Sequence, residues 1–97
     1  LRTAAHHGML ILEDSPYRMV SPGSRLPTLK ALDRDRTVVH LGSFSKTVFP
    51  GARVGYVVAD QPVTDDAGGT TLLAAELAKI KSMVTVNTPS LSQAAVA

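Results

Sequence analysis

The stretch Thr37-Val38-Val39-His40-Leu41-Gly42-Ser43-Phe44-Ser45-Lys46-Thr47 passes from a β-branched run into small polar residues and a lysine. Branched side chains pack well on a pleated, half-buried surface, so residues 37–41 read as a strand that Gly42 ends. The residues that can do chemistry therefore begin where the strand stops. Working forward, Phe49-Pro50-Gly51 marks a turn, and Arg53-Val54-Gly55-Tyr56-Val57-Val58-Ala59 reads as a further strand. Residues 43–52 are a short connection, which favours an antiparallel return.

Working backward, Met9-Leu10-Ile11-Leu12 is a continuous apolar run closed by Glu13-Asp14. A run of this kind is typical of a parallel strand covered on both faces. Residues 1–8 read as the end of a helix, with Gly8 where a left-handed cap falls. Three prolines, Gly23 and three serines make residues 15–28 an irregular loop. One helical turn is expected over residues 29–33, before the charged stretch Asp33-Arg34-Asp35-Arg36. More than twenty residues part the first two strands, which is room for a parallel crossover. Residues 65–69 read as a flexible connector. From Thr71 the stripe Leu73, Leu77, Ile80, Val84 predicts an amphipathic helix. Thr88 as N-cap and Pro89 at the first helical position predict a last helix.

The expected fold class is α/β, with three strands of a mixed, mostly parallel sheet. Such a piece leaves strand edges and apolar helix faces uncovered. Residues 1–97 are accordingly expected to be part of a larger domain and to fold poorly alone. The composition is that of an ordinary globular protein: 44% hydrophobic, 19% charged, net charge +2. The basic residues are scattered, so no nucleic-acid partner is expected from this segment. The absence of Cys excludes a disulfide scaffold and a thiolate metal site. The longest apolar run is too short to span a bilayer, so no membrane is expected. No secretory pattern is visible in this stretch, which makes the cytoplasm the expected location. His6, His7 and His40 show no metal-ligand spacing; the first two are expected to face different ways on a helix.

In open α/β sheets, ligands bind beyond the carboxyl ends of the strands. Asp14-Ser15-Pro16-Tyr17 follows the first strand, Ser43-Phe44-Ser45-Lys46-Thr47 the second, and Arg53 opens the third. Singly, each has an ordinary explanation. Asp14 suits a turn cap, Lys46 a solvated amine, Ser43 and Ser45 turn formers, Tyr17 an amphipathic plug, and Arg53 a surface ion-pair partner. As a set they suggest more. Ser43, Ser45 and Arg53 supply the hydroxyls and guanidinium fork that a phosphate needs. A lysine near a carboxylate suits an amine that condenses with a carbonyl.

Asp14-x-x-Tyr17, then Ser43-Phe44-Ser45-Lys46-Thr47, then Pro50-Gly51-Ala52-Arg53-Val54-Gly55 resembles the class I/II aminotransferases, which are pyridoxal-phosphate (PLP) enzymes of fold type I. The resemblance covers nearly the whole chain, as a partial PLP-binding large domain. It implies that Lys46 holds pyridoxal 5'-phosphate as an internal aldimine and then shuttles the α-proton, in a desolvated, electropositive pocket that lowers its pKa. It implies that Asp14 pairs with the pyridine nitrogen and keeps it protonated. Tyr17 would bond the ring's phenolic oxygen, completing the catalytic set Lys46, Asp14 and Tyr17. Ser43, Ser45 and Arg53 would bind the phosphate, and Gly55 would serve packing. The implied substrates are an amino acid and a 2-oxo acid, the implied assembly a homodimer. Asn87-Thr88-Pro89-Ser90 would lie near the neighbouring subunit's site. Two alternatives share the anchor residues. One is other α-carbanion chemistry on the same fold, as in a lyase, decarboxylase or cyclising synthase. The other is the PLP-sensing, aminotransferase-like domain of a transcription regulator.

Overall fold

The computed structural model describes residues 1–23 and 26–97. Its central element is β2 (Val38–Ser43), which runs two residues past the β-branched stretch because Gly42 and Ser43 still pair with a neighbour. The Met9–Leu12 run yields β1 (Ile11–Asp14), shifted toward the acidic residues that were expected only to close it. β1 and β2 are parallel, with Glu13 opposite His40 and Asp14 opposite Leu41. β3 (Gly55–Val58) returns antiparallel to β2, with Gly55 opposite Ser43 and Tyr56 opposite Gly42. The sheet order is β1-β2-β3, so the expected mixed sheet is present.

The connections set the ends of these strands. Helix α1 (Arg2–His6) stops before Gly8, whose φ of +62° takes the left-handed turn into β1. The crossover from β1 to β2 holds the expected helical turn, α2 (Leu29–Leu32), capped by the Thr28 hydroxyl on Ala31 N–H. Within the crossover, Ser24 and Arg25 lie outside the described residues. Asp33 then fastens the entry to β2. Its carboxylate accepts the backbone N–H of Thr37 and Val38 and the Thr37 hydroxyl. Burial alone would raise the Asp33 carboxyl, but these donors and the Lys30 ammonium hold it down to about 2. Lys30 also pairs with Asp60, joining α2 to the chain beyond β3.

Beyond β3 the structure differs from the expectation. Residues 65–69 close a tight hairpin between β4 (Pro62–Thr64) and β5 (Thr70–Leu72) and are no loose connector. Asp65 makes the turn, its Oδ1 accepting Ala67 N–H at 3.0 Å and Gly69 N–H at 2.7 Å, with Gly68 at φ +80°. Thr71 thus belongs to β5, and the helix predicted from it is α3 (Leu73–Thr85). The carbonyls of Gln61 and Ala59 accept the N–H of Leu73 and Ala74 and satisfy the first turn of α3. Helix α4 (Ser90–Val96) begins one residue later than predicted, with Pro89 at the N-cap position.

The buried apolar set is small: Ala4, Val38, Val39, Ala52 and Ala59. Leu12 is 69% exposed and the β1 burial alternates, so the expected cover on both faces of this strand is absent. The accessible surface is 7149 Å². A compact monomer of this mass would show about 5,300 Å², so roughly a third more surface stands open than such a fold leaves. Among the described residues, no helix is long and apolar enough to cross a membrane.

Candidate active site

The residues singled out in the sequence gather at one edge of the sheet. Asp14 is the last residue of β1 and Ser43 the last of β2, and both strands point the same way. Arg53 does not open the strand as expected: it closes the 3-10 turn Pro50–Ala52, two residues before β3, and because β3 runs back along β2 it still belongs to the same edge. Tyr17 follows Asp14 by one turn of chain, and its carbonyl accepts Val20 N–H at 3.0 Å and Ser21 N–H at 2.9 Å.

Lys46 sits in the turn after β2. The Phe44 carbonyl accepts Thr47 N–H at 3.2 Å and Val48 N–H at 3.0 Å, which curls residues 44–48 and lifts Lys46 off the sheet. Its Nζ lies 5.5 Å from the centre of the Tyr17 ring, a cation–π approach across the two loops. Two separated motifs are thereby brought together. Ser43 and Ser45 also meet: their hydroxyl oxygens are 3.0 Å apart, and Ser45 N–H donates to Ser43 Oγ at 3.2 Å. Sharing one hydrogen bond leaves one hydroxyl hydrogen of the pair without an acceptor. Arg53 adopts φ +51°, ψ +38°, a left-handed conformation that costs a non-glycine residue about 1 kcal/mol or more.

Other contacts are missing. Among the described residues, Asp14, Lys46 and Arg53 form no hydrogen bond or salt bridge with one another, and none has a partner of opposite charge. Among the described residues, no side-chain hydrogen bond makes Asp14 a turn cap and no acid pairs with Arg53. Lys46 is exposed, so the desolvated pocket expected around it is not built by these residues. A carboxylate, an amine, a guanidinium and a hydroxyl hydrogen on one edge, none of them paired among the described residues, would suit a molecule carrying a phosphate, a carbonyl and a basic nitrogen. The donor set thus fits the cofactor that the sequence motifs imply. The histidines fall elsewhere. His6 and His7 touch edge to face at 4.8 Å, contrary to the expected divergence, and both are exposed. Among the described residues, no group of His, Asp and Glu is arranged to hold a metal ion.

A cavity of about 320 Å³ opens beside the edge, on the opposite sheet face from Asp14. Of the six candidate residues only Ser43 lines it; His40, Phe44 and Tyr56 form much of its wall. Strand alternation accounts for Asp14, which pairs with Leu41 on the face opposite Glu13 and His40; Ser43 shares the parity of Leu41 and lines the cavity as the last residue of β2. Glu13 was missed in the sequence. Burial would raise its carboxyl, but the N–H groups of Leu29 and Lys30, with His40, hold it below the usual carboxylate range. Gly55 has the packing role expected of it, since a Cβ there would meet the Gly42 carbonyl at 2.9 Å.

The model of the family "Aminotransferase class I and II" matches residues 1–97. The chain belongs to that family. Its mixed α/β structure is that of fold type I. It is 55% identical, over all 97 residues, to the (S)-3,5-dihydroxyphenylglycine transaminase of Amycolatopsis orientalis, covering 21% of that protein. Over 64 residues it is 52% identical to the HTH-type transcriptional regulator TauR of Rhodobacter capsulatus, covering 64% of this chain and 13% of the regulator. Among solved structures it superposes on LysN, the α-aminoadipate aminotransferase of Thermus thermophilus, complexed with N-(5'-phosphopyridoxyl)-L-leucine. The TM-score is 0.75 at 29% identity, covering 98% of this chain and 23% of LysN. The chain thus spans about a fifth of the length of its fully matched relatives.

Proposed function

We propose that these 97 residues are the cofactor-anchoring part of the large domain of a PLP-dependent aminotransferase, which moves an amino group between an amino acid and a 2-oxo acid. The observation that carries the reading is Lys46 Nζ poised over Tyr17 at the carboxyl edge of β1 and β2. Pyridoxal phosphate supplies an aldehyde for an amine and a ring that takes up the electron pair left at the α-carbon. Lys46 Nζ would be the amine that holds the cofactor through that aldehyde and, with substrate bound, the base that accepts the α-proton and returns it. The Asp14 carboxylate, which accepts no side-chain or ionic donor among the described residues, would hold a proton on the ring nitrogen. Tyr17 orients the ring through its hydroxyl. Ser43, Ser45 and Arg53 bind the phosphate, Arg53 adding a charge that no acid among the described residues competes for.

The proposal extends to a homodimer in the cytoplasm, as the family resemblance implies. Dry walls around Lys46 would then come from chain outside this stretch or from the second subunit. Stretch 87–90 would lie near that subunit's site. The surplus surface supports the partial-domain reading, and the isolated 97 residues are expected to show neither turnover nor a cooperative thermal transition.

The test is a single half-reaction with the complete enzyme and an amino acid alone. A transaminase releases one equivalent of keto acid per site and stops; continuous release points to elimination by a lyase, and carbon dioxide with an amine in place of keto acid to a decarboxylase. The 52% identity to an HTH-type regulator favours a second reading, a PLP-sensing regulator domain. That reading predicts bound cofactor, no keto-acid release and a DNA-binding helix-turn-helix elsewhere in the complete protein.

A further inference from the structure

Glu13 and His40 are absent from the anchor set, yet their side chains are only 11% and 13% exposed and lie directly behind it. Glu13 Oε1 accepts Leu29 N–H at 2.7 Å, and Oε2 accepts Lys30 N–H at 3.1 Å and stands 3.1 Å from His40 Nδ1. With Glu13 ionised, Nδ1 is the donor, which fixes the plane of the imidazole. The His40 ring centre is 6.0 Å from that of Tyr56, and Tyr56 is 5.5 Å from Phe44. Tyr56 lies flat across Gly42, where a Cβ would come within 2.1 Å of the ring. Phe44 in turn donates its N–H to the Val54 carbonyl at 3.1 Å, and its own carbonyl forms the turn that carries Lys46. A continuous line of contacts therefore runs from one carboxylate, through three rings, to the lysine turn.

We propose that Glu13 and His40 are a positioning pair for Lys46. The inference rests on the reading that Lys46 carries the cofactor. Glu13 immediately precedes Asp14 in β1, and its carboxylate reaches across to β2 and to the start of α2. One side chain thereby sets the spacing between the strand end that bears the acid and the strand end that leads to the amine. The rings pass that spacing on because Tyr56 lies across Gly42 between the His40 and Phe44 rings, so a shift of His40 reaches Phe44 through it. Neither residue of the pair touches the reacting atoms; both act through the turn.

The test uses the complete enzyme loaded with pyridoxal phosphate and two variants, Glu13→Gln and Tyr56→Leu. Gln offers one carbonyl where three donors converge, and its amide opposes a backbone N–H. Tyr56→Leu breaks the middle of the line without disturbing a buried charge and is half-exposed, so it folds if Glu13→Gln does not. Each variant is expected to keep the cofactor but lose much of its visible circular dichroism, which reports cofactor orientation. Each should lose about ten- to a hundredfold in kcat with little change in KM. Wild-type dichroism and kcat in the folded variants, even with a lowered unfolding midpoint, would overturn the proposal and leave the pair a role in stability alone. A wild-type enzyme with no visible band at all would instead refute the underlying cofactor reading.

Discussion

The sheet β1-β2-β3 with its α2 crossover and the helical stretch α3–α4 are built on different terms. Around the sheet, single polar side chains each fasten several elements. Glu13 joins β1 to β2 and α2, Asp33 locks the entry to β2, and Gln61 donates to the Val38 carbonyl at 2.9 Å. In α3 and α4 no residue is buried, and Met83 and Leu91 are 82% and 83% exposed. The only salt bridge there among the described residues, Lys79 to Glu76, lies along one face of α3 itself. The first region holds its own geometry; the second presents an apolar surface without supplying what covers it. Residues whose positions matter at the ångström level are found in the first.

That contrast can be broken in a graded way. Asp14→Asn in the complete enzyme should retain the cofactor and cost at least about a hundredfold in turnover, measured as kcat, because a charge aimed at the ring is lost. Undiminished turnover would separate the sheet edge from the chemistry. Asp33→Asn should cost about 2–3 kcal/mol in denaturant unfolding, since buried donors from Thr37 and Val38 lose a charged acceptor. The sign of its pH dependence follows from the carboxyl's fall from 3.8 to about 2 on folding. Its contribution is fully present above about pH 4 and is lost as pH falls from there toward 2. The wild type should therefore lose its advantage over Asp33→Asn across that acid range. At the small end, Lys79→Ala in α3 should leave the unfolding midpoint unchanged, because an exposed pair contributes almost nothing. A clear drop would mean that α3 is more tightly engaged than its exposure indicates.

Much of the sheet was legible in the sequence because its signals are local. The run 37–41, led by the β-branched Thr37, Val38 and Val39, announces β2, and the ten-residue return from 43 to 52 announces an antiparallel β3. The candidate edge was legible as motifs, and Lys46 over Tyr17 joins two of them. The β4–β5 hairpin was not read, although Pro62-Val63-Thr64 and Thr70-Thr71-Leu72 flank a Gly-Gly turn. Three-residue strands are too short for alternation to register, and Thr71 fitted a helix start equally well. Glu13 could not be found at all. In the sequence it is one of two acids closing an apolar run, and its worth comes from Leu29, Lys30 and His40, which only the fold brings near. Cover for β1 was misjudged for the same reason: an apolar run reports that a strand is meant to be enclosed, not which residues enclose it.

The central claim is that Lys46 is the amine that captures the cofactor. Borohydride reduction of the complete PLP-loaded enzyme, followed by proteolysis and mass spectrometry, addresses it most directly. The account predicts a single pyridoxyl adduct on the peptide bearing Lys46, absent in Lys46→Ala. An adduct on Lys30, Lys79 or Lys81, or none on any lysine of this chain, would contradict it.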